Sequence, residues 1–529
     1  MNDDRPSHSF DADLAEEEKI QTGAIVAEQG PLSRRMGLAV VWGGLNSVLL
    51  RLGGFVSGIV EARIIAPKEF GVFAVALTVN MIIMNISALG VTACIVREPD
   101  DPGSIAPSVA TIALGSSALL ALVVFVLAPT IAVQLGSAQA TWPVRIMTIN
   151  VLLSGVYAVP SALLAREFRQ GRMLVAEAVN FCLATTVLVV LGLAGFGAFA
   201  LAWSYVAGTV AMTILLLALA PARYRPGLNR HLTGMLLRFG LPLAAANLIA
   251  FSVYNVDYVV VGHVLGPVPL GVYLLAFTMA SWPSALFNGM VTSVALPAFS
   301  RVRDDEERLP EYVTTVVSAL GALALPISIL TIVVARPAIV AIYGPRWSAA
   351  APALAMLAIF GAVRVPTELF ANVIVAFGKP RTLLYAQLLW LGALVPAMIV
   401  GVNEWGIKGA GIAHFVVAGA LILPIYVAVV RALAGVSLWT LLRSVLPPLA
   451  ASACAGIAAA IAVHMTHGVV AQLVFGLAAG LAAYVLLLGQ WFVRLCRNGR
   501  ALWSNAGERD RVADEAVGGL TVGVVATES

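Results

Sequence analysis

Fourteen apolar stretches, each long enough to cross a membrane and separated by short clusters of charge, constrain this chain more than any other feature. About twenty residues is the length an α-helix needs to cross a hydrocarbon core of roughly 30 Å. Lipid offers a backbone no hydrogen-bond partner, so such runs fold as helices and not as open strands. Composition agrees: 60% of the 529 residues are hydrophobic and 11% are charged, where soluble domains carry about 25% charge. The expected fold class is therefore an all-α, polytopic membrane protein. A net charge of +4, with no basic stripe carrying interleaved aromatics, excludes nucleic acid as a partner. The four cysteines (Cys94, Cys182, Cys454, Cys496) fit neither a disulfide framework nor a metal spacing, and no cofactor is expected.

The first stretch runs from Leu38 to Ile64, the second from Phe70 to Thr92, the eighth from Leu270 to Leu296 and the last from Val469 to Val493. Residues 1–35 are polar and acidic, and residues 495–529 are biased to small residues; both read as disordered tails. No short apolar core precedes a cleavage site, so the first span is expected to act as an uncleaved signal anchor. Cations cluster in alternate loops, such as Arg166, Arg169 and Arg172, or Arg223, Arg225 and Arg230. Lys68, Arg336, Arg346 and Lys408 are among the few on the other side. By the positive-inside asymmetry both termini are expected to be cytoplasmic.

The chain repeats itself. At an offset of 200 residues, Pro67, Gly71, Val72, Ala76 and Thr78 meet Pro267, Gly271, Val272, Ala276 and Thr278. At an offset of 206, Gly155, Val159, Pro160, Leu163 and Ala165 meet Gly361, Val365, Pro366, Leu369 and Ala371. Six spans separate equivalent helices, an even number, so the repeats are parallel and related by an axis along the membrane normal. The expected organisation is an N-lobe over residues 36–222, a C-lobe over 235–433, and two further helices over 438–494.

Pro67-Lys68-Glu69-Phe70-Gly71, followed by Val72-Phe73, resembles the first outer turn of polysaccharide exporters in the multidrug/oligosaccharidyl-lipid/polysaccharide flippase superfamily. Asn255-Val256-Asp257-Tyr258, then Leu265-Gly266 and Leu270-Gly271-Val272-Tyr273, is similar to the seventh-helix pattern of that group. Ala162-Leu163-Leu164-Ala165-Arg166-Glu167-Phe168 resembles its fourth inner loop. The resemblance covers about Met36 to Leu433 and implies a flippase for undecaprenyl-pyrophosphate-linked oligosaccharides. It further implies alternating access, with membrane lipids, a polysaccharide polymerase and glycosyltransferases as partners.

Charges inside spans are costly and so mark candidate sites. Arg51 lies mid-span where its repeat partner is Phe251. Its guanidinium suits a pyrophosphate, and a structural pair with a carboxylate is the alternative. Arg364 and Glu368 replace Ala158 and Ala162 of the first repeat, one turn apart around Pro366. They are read either as a self-neutralising pair or as an arginine freed by a kink for phosphate. Asp257, opposite Ser57, reads as a hydrogen-bonded hub or an ion-coupling group. Glu61 and Arg63 are read as charges snorkelling at the end of the first span.

Asn46, Asn80, Asn247, Tyr254 and Asn288 suit sugar hydroxyls, although amides also join helices. His414 is either a proton relay or a satisfied core histidine. No nucleotide loop or catalytic constellation occurs, so the chain is not expected to be an enzyme. A multidrug exporter of the same superfamily and a peptidoglycan-precursor flippase are the competing transport readings. A membrane glycosyltransferase or polymerase would be expected to carry a large outer loop, and the outer loops here are short.

Overall fold

The computed structural model describes residues 53–54, 56–87, 89–97, 102–222, 224–290 and 309–489, with the backbone alone for 97, 230, 231 and 282–290. Thirteen long helices follow one another: α1 (Pro67–Ile86), α2 (Ala106–Gln134), α3 (Thr141–Arg166), α4 (Gln170–Leu193), α5 (Ala198–Leu219), α6 (Arg230–Leu265) and α7 (Pro267–Met290) come first. Then come α8 (Leu309–Ile342), α9 (Ala351–Ala376), α10 (Pro380–Trp405), α11 (Ile407–Ala434), α12 (Leu438–Met465) and α13 (Val469–Gly489). Among the described residues twelve of these are long and apolar enough to cross a membrane, and α7 adds a shorter apolar stretch over Pro267–Ser281. The protein is an all-α polytopic membrane protein. Residues 53–54 and 56–64 are helical too, while residues 38–52 and 55 of the first predicted span lie outside the described residues.

Helices extend several residues beyond the apolar runs that predicted them, because hydropathy marks the lipid-buried part and not the capped ends. α8 has 34 residues, which at 1.5 Å per residue is about 51 Å, well over the hydrocarbon thickness. The second span is shorter than expected. It was predicted to reach Thr92, yet α1 stops at Ile86, and a separate short helix occupies Thr92–Arg97. Leu89 and Gly90 between them take φ of 46° and 66°, which an α-helix does not contain. A Cβ on Gly90 would stand 2.7 Å from the carbonyl oxygen of Gly240, so the turn needs glycine for space as well as for its torsion.

The chain forms two compact units. One takes residues up to 61 with 80–128 and 144–245. Its buried core includes Val91, Ile95, Val109, Val159, Leu163 and Leu236. Ser154 donates to Ser87 Oγ at 3.0 Å, and Gly155 lets α3 approach the Ala113 carbonyl on α2. Small and hydroxylic residues are what bring helices close where lipid supplies no hydrophobic drive.

The other unit takes residues 62–79, 129–143 and 246 onward, so segments of both predicted repeats build it. Here α12 and α13 pack on α8: Gly456 lies against Ile329, Gly480 against Leu330, and Tyr484 donates to the Ala322 carbonyl. The far side of α13 shows Val485, Leu486 and Leu487, an apolar surface that only lipid would cover.

Candidate functional site

Two fully buried titratable groups, Asp257 and His414, meet where α6, α7, α9 and α11 come together in the second unit. Asp257, on α6, is fully buried. It lies eight residues before the helix end, roughly 12 Å along the axis. Its Oδ1 accepts the Tyr258 N–H at 3.0 Å and its Oδ2 accepts the Tyr273 hydroxyl from α7 at 2.5 Å. Those two bonds replace the hydration that a buried carboxylate loses. Tyr258 stacks edge-on against Tyr273 and Phe277, with ring centroids 6.1 and 5.3 Å away, which holds the two donors to Asp257 in place.

His414 comes to the same carboxylate from α11. It is also fully buried, with Nε2 3.5 Å from Asp257 Oδ2. Neither of its ring nitrogens makes a hydrogen bond among the described residues. Phe360 of α9 stacks on the ring at 4.6 Å, with 24° between the planes. Immediately beyond, Ala418–Ile422 winds as a π-helical turn. Pro424 explains the widening: it has no N–H to give, and its ring crowds the carbonyl four residues earlier.

Arg364 on α9 forms a second, neighbouring arrangement. Its Nε donates to Glu368 Oε1 at 2.7 Å, and its guanidinium carbon sits 4.4 Å above the Tyr254 ring. Tyr254 in turn meets Trp390 of α10 at 5.6 Å. The two Nη atoms of Arg364 make no hydrogen bond among the described residues, and the side chain keeps 18% exposure. A recess lined by Phe277, Ser281, Phe360, Gly361 and Arg364 has a free volume of about 10 Å³, the size of one water. It admits no sugar.

Of the residues expected to bind substrate, the structure brings together Asp257, Tyr254, Arg364 and Glu368. Asn247 is exposed on α6, outside that cluster. Asn80, in the other unit, has a buried Oδ1 with no hydrogen-bond partner among the described residues. Arg51 and Asn46 lie outside the described residues, and so does the side chain of Asn288. His414 departs from the core-histidine reading in one respect: it is buried, yet neither ring nitrogen has a hydrogen-bond partner among the described residues. Nothing in the sequence pattern places it against Asp257, because the two lie on helices far apart along the chain.

A second feature escaped the sequence reading. Arg63 was read as a snorkelling end charge, yet it donates to the carbonyls of Ala341 and Ile342, at 2.8 and 2.9 Å, where α8 ends. Arg346 and Trp347 reciprocate, donating to the Ala62 carbonyl at 2.5 and 2.9 Å. At the position equivalent to Arg63 in the repeat, His263 Nδ1 stands 2.6 Å from the Gln134 carbonyl, where α2 ends. A guanidinium on a helix C-terminus satisfies orphan carbonyls and the negative end of the dipole together.

The match to known proteins runs the length of this architecture. The family model described as polysaccharide biosynthesis protein matches residues 60–352. The succinoglycan biosynthesis transport protein ExoT of Rhizobium meliloti (strain 1021) is 28% identical over 455 residues, 84% of this chain and 91% of that protein. The lipopolysaccharide biosynthesis protein WzxC of Escherichia coli (strain K12) is 23% identical over 79% of this chain and 86% of that one. Among solved structures, the inward closed lipid II flippase MurJ superposes with a TM-score of 0.73 at 12% identity, covering 86% of this chain and all of that one (100%). An inward-facing multidrug resistance MATE family transporter of the MOP superfamily gives 0.58 at 17% identity over 75% and 99%. Both structures carry the fold alone.

Proposed function

This chain belongs to the polysaccharide biosynthesis protein family, and from that premise we propose that it flips lipid-linked oligosaccharide precursors of a surface polysaccharide across a bacterial plasma membrane. The carrying observation is Arg364: a guanidinium held by Nε and by a tyrosine face, with its Nη fork uncommitted inside a membrane helix bundle. That fork matches the paired oxygens of a pyrophosphate. The relatives' printed roles in succinoglycan transport and lipopolysaccharide biosynthesis support the same reading.

Transport makes and breaks no covalent bond, so the chain acts as a transporter and not as an enzyme. Its two six-span repeats, over 36–222 and 235–433, rock against each other and expose the arginine first inward and then outward. Both termini lie in the cytoplasm on the strength of the cation asymmetry. Glycosyltransferases supply the substrate and a polymerase consumes it. A multidrug exporter is the second reading, favoured by the transporter fold above. It asks for an uncommitted carboxylate to meet a cationic drug, and in this cluster both Asp257 oxygens and Glu368 are already engaged.

The test is reconstitution into vesicles with an undecaprenyl-pyrophosphate-linked oligosaccharide, read by an impermeant glycosidase. Protection is expected to decay with time, and Arg364→Ala to slow that decay at least tenfold, the order expected for losing a charge-assisted bidentate contact. Vesicles that move ethidium and leave the glycan in place would sink the proposal.

A further inference from the structure

We infer that the groove between the end of α8 and the start of α9 binds an anionic phospholipid of the surrounding membrane, with Arg336 holding the headgroup phosphate. The groove lies in the second unit and has a free volume of about 520 Å³, within the range of small-ligand sites. Ile332, Val333 and Arg336 of α8 line it, together with Ser348, Pro352 and Ala355 from the turn into α9 and its first residues. Its lining has no acidic residue.

Arg336 carries the argument. It is exposed, and among the described residues it makes no hydrogen bond, ion pair or ring contact. Arg63 and Arg346 at the same end of α8 differ, because both already donate to backbone carbonyls. A guanidinium with its donors open and an apolar floor beside it suits a phosphate that comes with hydrocarbon attached. A free anion in water gains nothing from Ile332 or Val333.

The depth of Arg336 fits the same partner. Residues 312–335 of α8 carry no charge, and at 1.5 Å per residue that run is about 36 Å long. This slightly exceeds a hydrocarbon core of roughly 30 Å, and a modest tilt absorbs the difference. Arg336 is the first charge beyond the run, so it stands where hydrocarbon gives way to headgroups. The helix itself continues to Ile342.

The groove also lies away from the side of α9 that carries Arg364. At about 100° per residue, Pro352 and Ala355 stand roughly 120° and 180° around that helix from it. On α8, Leu330 and Val334 meet Gly480 and Gly476 of α13, while Ile332 and Arg336 lie nearly half a turn from them. The last helix therefore leaves the groove open. An anionic headgroup is favoured over a zwitterionic one, because the lining offers no carboxylate to the ammonium that a choline headgroup brings.

Thiol labelling of the full chain in detergent tests this site without any transport assay. With the four native cysteines removed, Ala349→Cys places a thiol at an exposed position of the groove lining. Added phosphatidylglycerol is expected to slow its reaction with a water-soluble maleimide about fivefold relative to phosphatidylcholine, the order that one cation near an anionic lipid provides. Arg336→Gln is expected to abolish that difference, and Arg336→Lys to retain most of it. Equal protection by the two lipids overturns the site, and so does a difference that survives Arg336→Gln. Inorganic phosphate that protects as well as phosphatidylglycerol overturns it too, since the occupant would then be a free anion. Should Arg336→Gln not fold, native mass spectrometry decides. One phosphatidylglycerol retained against equimolar phosphatidylcholine by the wild type, and lost from the maleimide-blocked Ala349→Cys protein, supports the site. Equal retention of the two lipids by the wild type, or retention unchanged by the block, overturns it.

Discussion

At Arg364 a single side chain has two neighbours that hold it and one end left over. Glu368 takes Nε at 2.7 Å and the Tyr254 face lies 4.4 Å below. Truncating the arginine alone confounds two effects, because it strands Glu368, whose side chain is only 12% exposed. Breaking a buried pair from one side costs about 3–5 kcal/mol of stability, whereas removing both partners is often close to neutral. The double variant Arg364→Ala with Glu368→Ala is therefore expected to melt near the wild type and still to flip glycan at least tenfold more slowly. A double variant with wild-type flipping makes the arginine a structural residue only. Arg364→Lys is expected to fall between, since an ammonium keeps the charge but has no fork. The pair itself was legible in the sequence because a four-residue spacing on one helix needs no tertiary knowledge. Its tyrosine platform and the His414–Asp257 meeting were not, because contacts between distant helices leave no local pattern.

Between elements, α1 and α7 approach closely in the second unit, where repeat-equivalent glycines meet. A Cβ on Gly71 would stand 2.1 Å from the Pro267 carbonyl oxygen, and one on Gly271 would stand 2.8 Å from Gly71 Cα. Any side chain there forces the helix starts apart, since backbone cannot yield as a flexible side chain does. Around this contact the carbonyl caps of Arg63, Arg346 and Trp347 tie residue 62 to the end of α8. These contacts fasten the segment before α1 to the end of α8 within the second unit. In a chain stripped of its four native cysteines, Leu270→Cys occupies a fully buried position beside the contact. Arg63→Ala with Arg346→Ala is expected to raise the rate at which an impermeant maleimide labels it several-fold, and Gly71→Leu to do the same. Unchanged labelling in both would show that the caps hold only local backbone. The repeated glycines were visible in the sequence as a matched register. That they touch follows only from the fold, because an axis between repeats brings equivalent residues together without marking them.

Across the whole molecule, hydropathy located every described span, since lipid imposes one length on all of them. It was silent on helix ends, which capping and proline decide, and on how the spans divide into units. Residues 62–79 and 129–143 pack with the unit of the second repeat although they belong to the first in sequence. The last two helices show the same limit: no repeat partner exists for them, so the sequence left them without a role. In the structure they are tied to α8 through close helix contacts, Gly456 on Ile329, Gly476 on Val334 and Gly480 on Leu330. Since α8 belongs to the second repeat, α12 and α13 are expected to move with it as one body in the transport cycle. Overfilling the contact costs about 1–3 kcal/mol per site, so Gly456→Leu with Gly480→Leu should lower the melting temperature by several degrees. The rigid-body expectation is checked by a cysteine pair at Ile329 and Ala455, buried on α12 next to Gly456. Locking that pair with a short crosslinker should leave flipping within about twofold of the uncrosslinked protein, the range in which distant changes act independently. Flipping that stops on crosslinking, and returns on reduction, would mean that α12 slides on α8 during transport and would give the two extra helices a moving part of their own.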